Sequence, residues 1–301
     1  MAKHKTKTAD VSAQSGTNEL IVAGEVADMR MMDAKGKTKG LELRAQKLLH
    51  MLVDFAGTDL VTSNAEHRVR VAEINDIMHI SGKEIHAHII ELAGTVITAD
   101  VIIDGKKARE YGPLVSSATH FLEEDQIIKY KFSDLMVKIF RSSTHWAALN
   151  ARAMHAFESA YGLRLYEMIS LRQNRHQFQE TFDLVDLRQR LGVPDGKLTR
   201  WPDLRRYALD KACDEVNALS GAKVTWEPKK RGRSVIGVVL SWRIKDHMEL
   251  KATEALLDKP RLQRNKVIKG AYQREKERVK KAAADFEASI PKEQTDLEDF
   301  L

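Results

Sequence analysis

The stretch from Phe178 to Arg243 most constrains the fold of this 301-residue chain. Leu184, Leu187 and Leu191 recur at i, i+3 and i+7, one face of a short helix. Asp183 stands where an N-cap is expected, and Asp186 falls in the first turn, where the helix dipole favours a carboxylate. Gly192, Pro194, Asp195 and Gly196 then break the helix. A longer helical period follows, for which Thr199 is a plausible cap, with Pro202 and Asp203 tolerated in the first turn.

At 100° per residue, Trp201, Leu204, Ala208, Ala212, Val216 and Leu219 share one side of this second helix and must be core. The opposite side carries Asp203, Arg206, Asp210 and Asn217, flanked by Arg200 and Tyr207. Arg205 lies nearer the core edge, where its stem can rest on apolar surface while its head reaches a phosphate. Val224–Trp226 and Val235–Trp242 read as strands joined by residues 228–234, with Lys229, Lys230, Arg231 and Arg233 in the tip and Arg243 at the far strand end. Helix, turn, basic helix and basic hairpin in this order describe a winged helix suited to a DNA groove. The wing cations suit a phosphate backbone, and Arg206 suits a guanine edge.

A resemblance rests on these residues. RLYEMI at Arg164–Ile169, then LVDLRQRLGVPDGKLTRW, RRYALDKACDEVN and KKRGR, resemble the second winged helix of the iteron-binding plasmid replication initiators over roughly residues 150–245. LRAQKLLHMLV from Leu43, RVAEINDIMHISGKEIHAHIIEL from Arg70 and IIKYKF from Ile127 more loosely resemble that family's first winged helix. The resemblance implies two winged helices on directly repeated origin DNA and no enzymatic activity. It also implies a monomer at the repeats in equilibrium with a homodimer that represses its own promoter. Host initiator and replicative helicase are the implied partners. A winged-helix transcriptional regulator without an initiator role is the alternative.

The expected fold class is α+β and helix-rich, two tandem winged-helix domains with mobile termini. Residues 1–37 lack a sustained period and read as a disordered arm. Residues 38–136 form the first domain, with a helix over Lys39–Phe55, a short helix over Val69–Met78, a helix from the capping box Ser81–Glu84 to about Thr95, and a wing spread over 98–132 around an Asp104-Gly105 turn. Residues 137–250 form the second domain. Leu135–Phe157 reads as a bridge long enough to place both recognition helices on one DNA face, and each half is expected to bind DNA as an isolated fragment, 140–250 weakly and 38–136 more weakly still. On the first recognition helix, Lys83, Ala87 and Glu91 are expected to face outward, toward a guanine or phosphate, a thymine methyl and a cytosine amine respectively.

Residues 251–301 read as a basic helical extension and an acidic tail. Residues 259–281 hold ten basic and two acidic residues, and residues 282–301 hold one basic and six acidic. Gln294, Leu297 and Phe300 stand at the Q-x-x-L-x-x-F spacing of peptides that dock on sliding clamps.

Net charge of +6 and a pI near 9.2 favour an acidic partner, here double-stranded DNA, over a membrane. The lone Cys213 excludes a disulfide framework and a cysteine-based zinc site and fits a reducing cytoplasm. His86-Ala87-His88 matches the metal-holding pattern of some nicking enzymes only on a strand. The capping box puts it on a helix, with the two rings about 200° apart, so no metal and no cofactor is expected.

Overall fold

The computed structural model describes residues 19–62, 65–103, 106–121 and 126–289. Among these, the residues up to Leu257 form one compact unit, and those from Asp258 to Ser289 form a second.

The first unit contains one supersecondary pattern twice. In the C-terminal copy, helix α8 (Ala160–Asn174) leads into strand β9 (Gln179–Asp183) and helix α9 (Leu184–Leu191). A long interrupted helix follows, made of α10 (Trp201–Leu204), a π turn (Arg205–Leu209) and α11 (Asp210–Leu219). The hairpin β10 (Ala222–Arg231) and β11 (Ser234–Ile244) closes the copy in a sheet ordered β10-β11-β9.

The N-terminal copy runs α2 (Leu43–Ala56), β3 (His67–Arg70), α4 (Val71–Met78), α5 (Gly82–Ala93), β6 (Val115–His120) and β7 (Ile127–Phe132), with the equivalent sheet order β6-β7-β3. Between α5 and β6 it inserts a second hairpin, β4 (Val96–Ile103) and β5 (Lys106–Pro113), whose edge pairs with β2 (Met31–Met32). The region 98–132 is therefore two hairpins in two sheets, not the single wing expected. The Asp104-Gly105 turn lies outside the described residues.

Local signals set the helix starts. Asp183 Oδ1 accepts hydrogen bonds from the Val185 and Asp186 amides at 2.8 and 2.7 Å. Ser81 and Glu84 form the reciprocal capping box. Two starts move. Helix α2 begins at Leu43 rather than Lys39, and Val69 and Arg70 belong to β3. Thr199 is not a cap: Arg200 holds that position, and the Thr199 carbonyl accepts instead from Arg188 Nη2 at 2.6 Å.

Residues 19–37, expected as part of a disordered arm, are built into the fold; residues 1–18 lie outside the described residues. Strand β1 (Glu19–Ala23) pairs antiparallel with β8 (Trp146–Asn150), in the register Leu20↔Leu149 and Val22↔Ala147. Helix α1 (Gly24–Ala27) follows, and Leu20, Val22, Val26, Met29 and Met31 are buried. Nor is 135–157 a simple linker. It holds α6 (Asp134–Ser142), β8 and α7 (Ala151–Ala156), and α6 packs on β5 and on the short helix α3 (Asp59–Thr62) of the first copy, so a boundary at 136 cuts a packed helix.

Buried polar groups lock the two copies together. Lys47 donates to the His155 and Phe157 carbonyls, both at 2.7 Å. On α8, Arg164 is 1% exposed, donates to the Met29 carbonyl at 2.8 Å and pairs with Glu167. Glu167 also meets His50 Nε2 of α2 at 2.7 Å. Burial pushes the Glu167 carboxyl up, but Arg164 and His50 outweigh it and hold the group below its ordinary value. The first helix of each copy thus meets its counterpart through a buried hydrogen bond. Fragments 38–136 and 140–250 would each leave part of this network unpaired, so they are not independent modules. Beyond α12 (His247–Leu257), the second unit holds the 29-residue helix α13 (Arg261–Ser289).

Candidate nucleic-acid interface

The interrupted helix of the C-terminal copy presents a basic face, with Arg200, Arg205, Arg206 and Lys211 exposed. Leu204, Ala208, Ala212, Val216 and Leu219 are at most 1% exposed, as expected, and Trp201 is half-buried. The π turn then changes the phase. Asp210 N donates to Arg205 O, a bond five residues back. One extra residue in the turn rotates everything after it by roughly one position. Leu209 and Cys213 become buried, Asp210 swings inward and Lys211 swings out.

Asp210 consequently holds the helix on the hairpin rather than joining the exposed row. Its Oδ1 accepts from Trp226 Nε1 at 3.1 Å, and its Oδ2 meets Arg205 Nε at 3.3 Å. Arg205 lies over the Trp226 ring at 5.7 Å, and Trp201 meets that ring edge-on at 5.6 Å. Arg205 therefore does rest on apolar surface. Asn217, expected outward, instead clamps β10 through both its amide atoms and the Val224 backbone, at 3.0 and 2.6 Å.

The side chains left outward are Arg206, Tyr207 and Lys211. Arg206 and Lys211 stand 5.4 and 5.8 Å from the centre of the Tyr207 ring. Arg200 is exposed at the helix start, and its Nε meets Asp203 Oδ2 at 2.7 Å. Lys211 was missed from the sequence, because a regular helix puts it off the face that Arg206 occupies. No local sequence signal marks the π turn.

The hairpin is longer than expected. Beyond Pro228 its strands leave the core, and Lys229, Lys230, Arg231 and Arg233 are all exposed around Gly232, whose φ of +60° makes the tight tip. A bulge between Lys229 and Lys230 sets Ile236 out of register. None of the four cations has a carboxylate partner among the described residues. Arg243 does not belong with them. It pairs with Lys223 at the hairpin base, and its guanidinium grips both Glu249 oxygens at 2.7 Å.

In the N-terminal copy, α5 exposes Lys83 and Ala87 as expected. Glu91 is corrected. Its side chain is 14% exposed, and Oε1 accepts the Glu42 amide at the start of α2 at 2.8 Å. The outward row is Lys83, His86, Ala87 and Ile90, the last 59% exposed. His86 and His88 diverge, His86 to solvent and His88 into the protein. Glu42, His88 and Glu91 bring potential ligand atoms within 4.8 Å of one another, but Glu91 already serves the α2 terminus. Gln294, Leu297 and Phe300 lie outside the described residues.

Comparison with known proteins agrees with this architecture. The model of the initiator replication protein first winged helix matches residues 27–170, and that of the initiator Rep protein second winged helix matches residues 183–242. A crystal structure of the Pi initiator protein in complex with iteron DNA shares the fold, with a TM-score of 0.55 at 13% identity over 76% of this chain and 98% of that one. Among curated proteins, none matches the chain. With its two family modules in tandem over about two thirds of its length, the chain belongs to the initiator replication protein family.

Proposed function

We propose that this initiator binds directly repeated double-stranded DNA at a plasmid origin, one repeat per monomer, and that both winged helices engage the same duplex. The observation that carries the reading is the fixed pairing of two winged helices in one compact unit, each with an outward recognition row. Arg206, Tyr207 and Lys211 read or grip the groove in the second copy, with Arg200, Asp203 and Arg205 at the helix start. Lys229, Lys230, Arg231 and Arg233 lie along phosphates. Lys83 and Ala87 form the weaker, less basic contact of the first copy, while Glu91 supports α2. The Pi initiator, which shares the fold, was crystallised on iteron DNA, and this supports the choice of ligand.

The chain does its work by binding, without a catalytic step. A homodimer in equilibrium with the monomer represses the initiator's own promoter. Host initiator and replicative helicase act after the repeats are filled, and the C-terminal peptide around Leu297 docks on a sliding clamp. No helix among the described residues is long and apolar enough to cross a membrane. The cytoplasm, where origin DNA lies, is the proposed location.

Footprinting on the DNA flanking the gene tests this. Evenly spaced direct repeats should be protected, each over about 20 base pairs, the span of two successive major grooves. Protection of a single palindrome alone would replace the reading with a plain repressor.

A further inference from the structure

The charge on α13 is unused by the repeat-reading faces. The helix is 29 residues long, or about 43 Å at 1.5 Å per residue, somewhat more than one turn of duplex. Residues 259–281 hold ten lysines and arginines against two glutamates. Its leading apolar residues make no stripe. Taking 100° per residue, Val267 and Ile268 lie about 140° and 240° round from Leu262. Leu262 is 76% exposed. Leu262, Val267 and Ile268 thus share no apolar face. Lys266, Lys269, Arg274 and Lys281 are exposed, and none has a carboxylate partner among the described residues.

We propose that α13 is a third, sequence-independent DNA contact: a basic strut that lies along the phosphate backbone of duplex flanking the repeat. Charge complementarity selects the occupant. A rod of net positive charge longer than a helical turn matches a linear polyanion, whose condensed counterions are released on contact. This contact supplies affinity without sequence information and extends the protected length beyond what the winged helices cover.

The test uses the full chain carrying Lys266→Gln, Lys269→Gln, Arg274→Gln and Lys281→Gln together. Binding to a random-sequence duplex of about 60 base pairs is measured across a salt series. The slope of log K against log salt should shrink by up to about 3.6, at 0.9 per lost phosphate contact. A control variant, Lys106→Gln, Lys107→Gln, Lys223→Gln and Lys251→Gln, removes the same charge elsewhere and should leave the slope near wild type. An unchanged slope in the α13 variant, or equal changes in both variants, would overturn the proposal. If wild type shows the α13-dependent slope but no preference for the repeat, the repeat-reading proposal fails and this one stands. The substituted positions are exposed, so the unfolding midpoint of the first unit should match wild type in both variants.

Discussion

Gly40→Ala should pry the two winged helices apart. A Cβ at Gly40 would sit 2.1 Å from the Gly192 carbonyl oxygen and 3.0 Å from its carbon, both backbone atoms that no side-chain rotation can move. The two segments must retreat by about 1 Å, an overpacking that costs roughly 1–3 kcal/mol. The retreat strains a pair of hydrogen bonds beside it, Asp195 N to Thr38 O and Thr38 N to Asp195 Oδ2, both 3.2 Å. At about 1 kcal/mol each these bring the total to roughly 3–5 kcal/mol. That is a large share of a typical folding free energy of about 5–15 kcal/mol, so the variant should fold with a clearly lower denaturant midpoint. Affinity for a single repeat should fall about tenfold or more, because the two recognition rows no longer present a fixed spacing. Binding to random duplex needs no register and should stay within about twofold. Gly270→Ala is the control. Its Cβ would meet only the Arg274 guanidinium, at 3.7 Å, so helix propensity should leave it neutral or up to about 1 kcal/mol more stable. A Gly40→Ala protein with a wild-type midpoint and wild-type repeat affinity would refute the idea that this contact fixes the two halves.

Three further outcomes are expected. Arg206→Ala should cost about 1–3 kcal/mol on the repeat and relax specificity at one base position. Equal losses on repeat and random DNA would make Arg206 a phosphate contact instead. Neutralising Lys229, Lys230, Arg231 and Arg233 together should weaken binding to every sequence and reduce the salt slope by about 0.9 per contact; an unaltered slope removes the wing from the interface. Glu215 gives a pH signature. Burial raises its carboxyl from 4.5 to about 7, although the Ser159 and Glu158 amides donate to it at 3.1 and 3.2 Å. A raised folded value means this group's contribution is full below about pH 4.5 and is lost as pH rises through 7. Glu215→Gln should therefore be the more stable protein at pH 8, by up to roughly 3 kcal/mol, with the gap narrowing toward pH 5. A gap that does not change with pH in chemical denaturation would show that Glu215 stays ionised.

Much of the fold was legible because its signals are local. Asp183 and the Ser81–Glu84 box act within one turn, and Gly192 to Gly196 break a helix whatever surrounds them. The family resemblance carried the duplication. What escaped depends on distant partners or on backbone irregularity. β1 is a five-residue segment whose strand partner, β8, lies more than a hundred residues downstream, so nothing near Leu20 announces it. Glu91 stands on a helical face that periodicity leaves open to solvent, and only the arrival of α2 turns its carboxylate toward the Glu42 amide. The π turn is the clearest case. The core positions Leu204, Ala208 and Ala212 fit a regular helix as well as the observed one, so hydrophobic spacing is blind to the inserted residue. The exposed row is not, and it exchanged Asp210 for Lys211.

That exchange bears on how the interface is made. On the repeat-binding reading, a regular helix would set Asp210 against the phosphate backbone four residues after Arg206. The π turn instead assigns the carboxylate to Trp226 and Arg205, where it ties the recognition helix to the hairpin, and sends a cation outward beside Tyr207. One backbone irregularity thereby takes a carboxylate off the exposed row, puts a cation on it and couples the helix to the hairpin. The same economy operates between the two copies. His50 Nε2 and the Glu167 carboxylate are buried hydrogen-bonding groups that would be costly alone and find each other only when α2 and α8 meet. Such a junction loses a buried hydrogen bond as soon as the helices separate, so on the repeat-binding reading the spacing of the two exposed rows is set by the protein core rather than by the DNA. On the repeat-binding reading, this rigidity lets a modest row such as Lys83 and Ala87 add to specificity, because it reaches its groove only when the second copy is already in register.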